Sequence, residues 1–186
     1  MKILITGAYS TGKSIFAVSL CERLRASGIN ASILPDSSRE ISFPLNTEQG
    51  HDTTMWLLAW QMSKEKLAVS MVPPRSILIC DRGVPDILAH NLEATSRGSG
   101  LKNPDALKAA EEWSATYDMS FFSLINEGIP IEPDGLRITD PKYRKALEEY
   151  ARETVDLLDP CFDLPFHGRE RVEFAESKIT ATLRQS

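Results

Sequence analysis

The hydrophobic residues of this chain fall into short apolar runs, separated by longer segments whose apolar positions repeat every three or four residues. The runs have the length of buried strands and lie at 3–6, 31–35, 76–80, 119–125 and 162–166. The last of them is predicted as a strand despite Pro165. The chain therefore opens with a strand and alternates strands with longer periodic segments.

The periodic segments between these runs predict helices. The first segment places Ile15, Phe16, Leu20 and Leu24 on one face and stops at Gly28. Further helices are predicted from about 52 to 69, with Met55, Leu58, Met62 and Val69 on one side, after Asn103-Pro104 and Asp140-Pro141, and over 169–183.

Strands that alternate with helices favour a parallel sheet covered on both faces, because right-handed crossovers place helices on each side. Ligands bind such sheets beyond the carboxyl ends of the strands. The residues of greatest functional interest therefore follow the first three strands along the chain, at 7–14, 36–39 and 81–83.

Length, charge and cysteine content indicate which classes of protein this chain can belong to. The length suits one globular domain spanning 1–186, and a net charge of −5, from 21 basic and 26 acidic residues, argues against general nucleic-acid binding. No apolar stretch approaches the roughly 18 residues of a membrane span. The three cysteines lie far apart without a Cys-x-x-Cys pair, so we expect buried thiols and a cytoplasmic location.

A phosphate-binding loop pattern follows the first strand. Its members are Gly7, Ala8, Tyr9, Ser10, Thr11, Gly12, Lys13 and Ser14. In such a loop successive backbone N–H groups face one centre at a helix N-terminus, where a phosphate binds. Lys13 would reach the β- and γ-phosphates and Ser14 would ligate Mg²⁺, so ATP and Mg²⁺ are the expected cofactors. We expect Lys13 to be mostly exposed when no nucleotide is bound.

Charged residues also follow the strands at 31–35 and 76–80. Asp81 is a candidate second Mg²⁺ ligand, and Arg82 suits a phosphate or carboxylate. Asp36 could accept a proton from an attacking hydroxyl, and Arg39 could steady the acceptor. In both places the alternative is a turn whose charged side chains serve only solvation or local hydrogen bonds.

Residues 126–140 are rich in glycine and proline, and the helix predicted after them begins with basic residues. We predict a lid over about 126–145, in which Arg137 covers the phosphates with Lys142 and Arg144 behind it. Without ligand we expect this stretch to be poorly ordered or displaced from residues 7–14. A solvated helix start is the alternative interpretation.

An aromatic pair lies in the helix predicted over 52–69. Trp56 and Trp60 share one helical face, and they could stack on a ring of the acceptor while Gln61 binds its edge. Such a stripe more often belongs to a hydrophobic core, so both interpretations stay open.

Together these residues resemble a family of small P-loop ATPase and kinase-like domains that includes ribosylnicotinamide-kinase-type domains and, more distantly, deoxynucleoside and thymidylate kinases. The likeness covers nearly the whole chain and is carried by 7–14, Asp36 with Arg39-Glu40, Gln61, 81–83 and 134–137. It implies a three-layer α/β fold with a five-stranded parallel sheet in the order 2-3-1-4-5. In that family the acidic residue after the second strand, usually glutamate, acts as base; Asp36 occupies this position and is one methylene shorter.

The residues present are those that phosphoryl transfer needs, so we expect transfer of the ATP γ-phosphoryl group to a nucleoside- or nucleotide-like small molecule. The expected catalytic residues are Lys13, Asp36, Arg82 and Arg137. A slow ATPase that acts as a nucleotide-dependent switch or partner-binding protein is the alternative, and a binding module without chemistry is less favoured. A homodimer is compatible with the sequence, whereas neither nucleic acid nor a membrane is an expected partner.

Overall fold

Five parallel strands form the central sheet of the computed structural model, which describes residues 1–36, 38–40, 43–131 and 138–184, apart from the side chain of Arg39. The strands are β1 (Lys2–Thr6), β2 (Ala31–Leu34), β3 (Ile77–Asp81), β4 (Met119–Phe122) and β5 (Cys161–Asp163). Their order, β2-β3-β1-β4-β5, confirms the predicted 2-3-1-4-5 arrangement. The central strand is β1, paired in parallel with β3 and β4.

Helices cover both faces of this sheet, as predicted. They are α1 (Lys13–Ala26), α2 (His51–Met71), α3 (Val84–Ser96), α4 (Pro104–Ser114), α5 (Pro141–Val155) and α6 (Gly168–Leu183). The α1 and α6 helices pack together on one face, and α3 packs against α2, α4 and α5 on the other. Two short 3-10 helices, Ser38–Glu40 and Asn46–Glu48, lie between β2 and α2. In the described part of the chain, no helix is both long enough and apolar enough to cross a membrane.

The side chains of β1 alternate between the two cores. Ile3 and Ile5 pack under α1 and α6, whereas Leu4 packs with Leu78 and Tyr117 on the opposite face. All three β1 side chains are fully buried. A strand covered on both faces needs apolar side chains at consecutive positions. This is why apolar and polar residues do not alternate in β1.

The sequence pattern misses one helix and misplaces two side chains. The α3 helix buries Asp86, Asn91 and Glu93 beside its apolar residues, so no clean apolar stripe marks it. Ile15 is 76% exposed and Val69 is 49% exposed, contrary to their predicted places on buried faces. The buried side of α1 consists of Phe16, Ala17, Leu20, Cys21 and Leu24, besides Lys13.

The turn out of β1 depends on a close approach between two backbones. The N–H of Ser123, just after β4, donates to the Thr6 carbonyl at 2.9 Å. A Cβ on Gly7 would lie 2.5 Å from the Ser123 carbonyl oxygen, and Gly7 has a φ of +120°. Only glycine satisfies both conditions, because other residues rarely adopt that φ and have no room for a side chain.

We expect Gly7→Ala to destabilise the fold by on the order of 3 kcal/mol, because it adds backbone strain to a clash with a backbone oxygen. Chemical denaturation followed by circular dichroism measures this loss. The matched control is Gly168→Ala, since no heavy atom lies within 4 Å of a Cβ there. Equal stabilities for the two variants would show that the Gly7 contact is not required.

Candidate active site

A cavity of about 430 Å³ opens at the carboxyl end of the sheet. Its wall is built from the loop after β1, the segments after β2 and β3, the inner faces of α2 and α3, and residues 129–130. The polar and charged residues of that wall are Tyr9, Ser10, Thr11, Lys13, Ser14, Asp36, Ser38, Asn46, Gln49, Gln61, Arg82, Asp86 and His90. This is the edge at which the sequence places the functional residues.

The loop at 7–14 has the backbone geometry of an anion nest. Gly7, Ser10 and Gly12 have positive φ values of 120°, 56° and 79°. Gly12 is the N-cap of α1 and has no side chain that could accept a hydrogen bond. The first N–H groups of this helix therefore point out from its end without a side-chain acceptor. A curled loop followed by an uncapped helix N-terminus favours a bound phosphate.

Lys13 is buried rather than exposed, which corrects the prediction. Only 5% of the residue is exposed, and its ammonium group donates hydrogen bonds to the carbonyls of Gly7, at 2.7 Å, and Ala8. The stem folds back under the loop because Lys13 lies in the first turn of α1. Burial, aided by the positive charge of Arg82, lowers the pKa of Lys13 to about 7, while Asp86, Asp81 and Asp36 oppose this shift.

Arg82 joins two carboxylates in the wall of the cavity. Its Nε lies 3.1 Å from Oδ2 of Asp36, and its Nη1 lies 3.8 Å from Oδ1 of Asp86. Arg82 has a φ of +70°, a strained conformation for a residue with a side chain. Burial opposes ionisation of Asp36, but Arg82 and the Ser38 N–H outweigh burial and hold the pKa of this carboxyl below its usual value.

Asp86 and His90 are functional candidates that the sequence analysis missed. Both line the cavity from α3, and their spacing of four residues places them on one helical face. Burial raises the pKa of the Asp86 carboxyl, and its Oδ2 accepts from the N–H of Gly83 at 3.0 Å. Burial above all, and then Arg82, lowers the pKa of His90 to about 3, so its imidazole is neutral at physiological pH. The i, i+4 spacing directly after a strand was the signal available in the sequence.

The positions of Ser14 and Asp81 suit a small hard cation. Ser14 is exposed in the first turn of α1, and the buried Asp81 ends β3 opposite Ile5 of β1. A hydroxyl and a carboxylate are oxygen ligands of the kind Mg²⁺ prefers, and Mg²⁺ usually adds phosphate and water to one or two protein ligands. Among the described residues no group of three or more His, Cys, Asp or Glu forms a metal cage.

The predicted acceptor-binding residues lie in different places. Gln61 lines the cavity, and its Nε2 donates to Oε1 of Glu65 at 2.9 Å. Trp56 and Trp60 stack on each other, with ring centroids 5.5 Å apart, and are not among the residues that line the cavity. The side chain of Arg39 lies outside the described residues.

Glu65 links Gln61 to the far end of the sheet. Its carboxylate is fully buried and also accepts from Lys2 Nζ at 2.9 Å, Trp113 Nε1 at 2.8 Å and the Tyr117 hydroxyl at 2.6 Å. The Tyr117 hydroxyl in turn accepts from the N–H of Val84 at 3.2 Å. This network supports both α2 and the start of α3, the two helices that form the inner wall of the cavity.

The ends of the predicted lid pack against the phosphate-binding loop. The hydroxyl of Tyr9 donates to the Ile138 carbonyl at 2.7 Å, and Ile131 packs in the same cluster. Arg144 is buried and donates to the Ile129 carbonyl at 3.2 Å, whereas Lys142 is exposed. The expected displacement from residues 7–14 is therefore wrong for Ile131 and Ile138, which pack with Tyr9 of the loop. Arg137 falls in 132–137, outside the described residues.

Comparisons with known proteins agree with this architecture. A family model described as an AAA domain matches residues 2–169. A deoxyadenosine kinase from M. mycoides has a TM-score of 0.62 and 14% identity, over 97% of this chain and 100% of the kinase. A thymidylate kinase from Candida albicans has a TM-score of 0.66 and 16% identity, over 98% of this chain and 92% of the kinase. These likenesses show the P-loop kinase fold, and no curated protein matches the chain in sequence.

We expect ATP binding at pH 8.5 to be coupled to proton uptake by Lys13. Its pKa of about 7 leaves the amine mostly neutral at that pH, and a nearby triphosphate favours the ammonium form. Affinity should therefore be constant below about pH 7 and fall as the pH rises toward the higher pKa of the complex. Calorimetry in two buffers of different ionisation enthalpy measures the uptake.

The control for this titration is Lys13→Met, which keeps most of the buried hydrocarbon stem and cannot take up a proton. Its proton uptake should fall by the amount assigned to Lys13. If wild type and Lys13→Met took up the same number of protons at pH 8.5, Lys13 would not be the group that titrates.

Proposed function

The chain is a member of the AAA-domain family whose model it matches, and from that premise we propose that it is a phosphotransferase. It would transfer the γ-phosphoryl group of ATP to a hydroxyl of a nucleoside-like small molecule. The observation that carries this proposal is one cavity lined both by the nest at 7–14 and by the Asp36–Arg82 pair. An enzyme that transferred the phosphoryl group only to water would not need a cavity for a second substrate next to the phosphate-binding loop.

The donor side of the proposed reaction uses the loop and Lys13. Backbone N–H groups of the loop would hold the phosphates, and the Lys13 ammonium, now 2.7 Å from the Gly7 carbonyl, would turn to meet them. Mg²⁺, held by Ser14 and Asp81, would neutralise charge on the phosphate oxygens when bound. The loop would thus stabilise charge that develops during transfer.

Asp36 is the proposed base. Its carboxylate is ionised at neutral pH, and Arg82 and the Ser38 N–H fix its orientation. A carboxylate with a low pKa is a weak base, yet phosphoryl transfer through a loose transition state leaves the attacking hydroxyl protonated until late. Orientation of that hydroxyl is then the larger contribution of Asp36.

The charges around the acceptor space favour an uncharged acceptor. Beyond the nest, the charged side chains among the described lining residues are Asp36, Arg82 and Asp86. The single guanidinium is shared between two carboxylates, so little positive charge remains for a phosphate on the acceptor. We therefore propose a nucleoside-like acceptor in preference to a nucleotide.

The remaining wall suits a flat ring with polar edges. Leu45, Leu57 and Ile87 supply apolar surface, while Gln49 and the neutral His90 supply hydrogen-bonding groups. A buried polar group without a partner is costly, and Nδ1 of His90 has none among the described residues. A ring that bonds to this imidazole would be selected over one that leaves it unpaired.

A screen for ADP release tests the proposal. With Mg-ATP, we expect at least one compound among purine and pyrimidine nucleosides and nicotinamide riboside to raise ADP release about tenfold or more over ATP alone. Nucleoside monophosphates should stimulate less. With the best acceptor, Asp36→Asn should lower kcat roughly 100-fold, because it keeps the side-chain shape but loses the charge that pairs with Arg82, orients the hydroxyl and finally accepts its proton.

Asp105→Asn is the control for this variant, since Asp105 is exposed in the first turn of α4 and is not among the residues that line the cavity. Steady ATP hydrolysis that no acceptor accelerates would instead support the switch-like ATPase. Stronger stimulation by monophosphates than by nucleosides would overturn the charge argument.

A second test concerns the metal. Asp81→Asn should raise the Mg²⁺ concentration needed for half-maximal rate and lower the maximal rate by roughly two powers of ten, because one anionic ligand is lost. A titration of initial rate against Mg²⁺ at saturating ATP measures both quantities. An unchanged Mg²⁺ requirement would remove Asp81 from the proposed metal site.

A further inference from the structure

Arg171 lies behind the phosphate-binding loop, 160 residues away in sequence from Thr11. It occupies the first turn of α6 and is only 8% exposed. Its Nη1 donates to the Thr11 carbonyl at 2.9 Å, its Nη2 donates to the Ser123 hydroxyl, and its Nε donates to the Pro165 carbonyl at 2.9 Å. The guanidinium thus ties α6 and the end of β4 to the middle of the loop.

The positive charge of Arg171 has no anionic partner among the described residues. All three of its hydrogen-bond acceptors are neutral oxygens, and no described carboxylate forms an ion pair with it. Burial lowers the pKa of Arg171, and no charged group contributes to that shift. A guanidinium keeps its proton even so, which leaves a buried cation directly behind the loop.

The contacts of Arg171 also set the orientation of one peptide group. The Thr11 carbonyl accepts a second hydrogen bond, from the Ser123 hydroxyl at 3.0 Å. In a planar trans peptide the C=O and the next N–H point in opposite directions. Two donors that hold the Thr11 oxygen toward β4 and α6 therefore aim the Gly12 N–H away from them, toward the cavity that Gly12 lines.

We propose that Arg171 is a positioning residue for phosphate binding: it aims the Thr11–Gly12 peptide into the nest and supplies a charge that the bound phosphate balances. It does so without contacting the phosphate, because Arg171 is not among the residues that line the cavity and each of its guanidinium nitrogens already donates to a protein oxygen. The proposal rests on phosphate binding at 7–14, not on the identity of the acceptor. Ser123 shares the positioning role through its hydroxyl.

Binding of tripolyphosphate, which probes the nest alone, tests this role without turnover. By calorimetry, Arg171→Met should raise the Kd at least tenfold, because it removes both the charge and the donors. Arg171→Lys keeps the charge and should recover part of that loss. Ser123→Ala removes one of two donors to the Thr11 carbonyl and should raise the Kd a few-fold.

Arg152→Met is the matched control, because the Arg152 guanidinium also contacts the end of β4 but is paired with a carboxylate. Its Nη1 and Nη2 lie 2.6 and 2.9 Å from the Asp163 carboxylate, and its guanidinium stacks on Phe122 at 3.9 Å. This control should lower the thermal midpoint while leaving the Kd for tripolyphosphate unchanged. It separates a loss of fold stability from a loss of phosphate affinity.

A folded Arg171→Met protein that binds tripolyphosphate within twofold of wild type would overturn the proposal. If that variant does not fold, wild-type Kd values for both Arg171→Lys and Ser123→Ala would overturn it equally. The Kd values of wild type and the variants could follow the expected order while the wild-type protein transfers no phosphoryl group to any acceptor. That result would refute the proposed kinase activity and leave the role of Arg171 standing.

Discussion

The contact between Gly7 and Ser123 is the constraint on which the rest of the site depends. Two backbones meet there at a distance that admits no side chain, with the Gly7 φ at +120°. This contact fixes where the chain leaves the central strand and brings the Ser123 hydroxyl within reach of the loop. The nest, the start of α1 and the contacts of Arg171 all follow from it.

The second organising feature is the placement of charge around the loop. Lys13 lies on the cavity side and Arg171 behind it, and neither forms an ion pair with a carboxylate among the described residues. Arg82, by contrast, is held by Asp36 and Asp86. Burial of cations without anions costs stability, because it removes them from water. The arrangement around the loop is suited to an anionic ligand that supplies the missing charge, whereas the cavity wall around Arg82 has no surplus of positive charge.

The sequence predicts the sheet and the phosphate-binding loop because both depend on local patterns. The run at 76–80 and the spacing from Gly7 to Ser14 each hold within a few residues, and the sheet order came from the family resemblance. The exposure of Lys13 was predicted wrongly because burial depends on how its stem folds back onto its own loop. Arg171 and Thr11 are 160 residues apart in sequence, and a local sequence pattern cannot predict a contact between residues so far apart. His90 was overlooked because α3 carries polar residues on its buried side.

The hydrogen bonds to the Glu65 carboxylate limit which substitutions this sequence can accept one at a time during evolution. Four side chains, those of Lys2, Gln61, Trp113 and Tyr117, donate to one buried group, and they come from three separate stretches of the chain. Loss of Glu65 alone would remove the shared acceptor of four donors, and loss of any donor alone would leave part of an anion unsatisfied. These positions are therefore expected to covary as a block, with apolar replacements arriving together. Gln61 belongs to that block as well as to the cavity wall, so a substitution that reshapes the cavity at this position is tied to remodelling at the other end of the sheet.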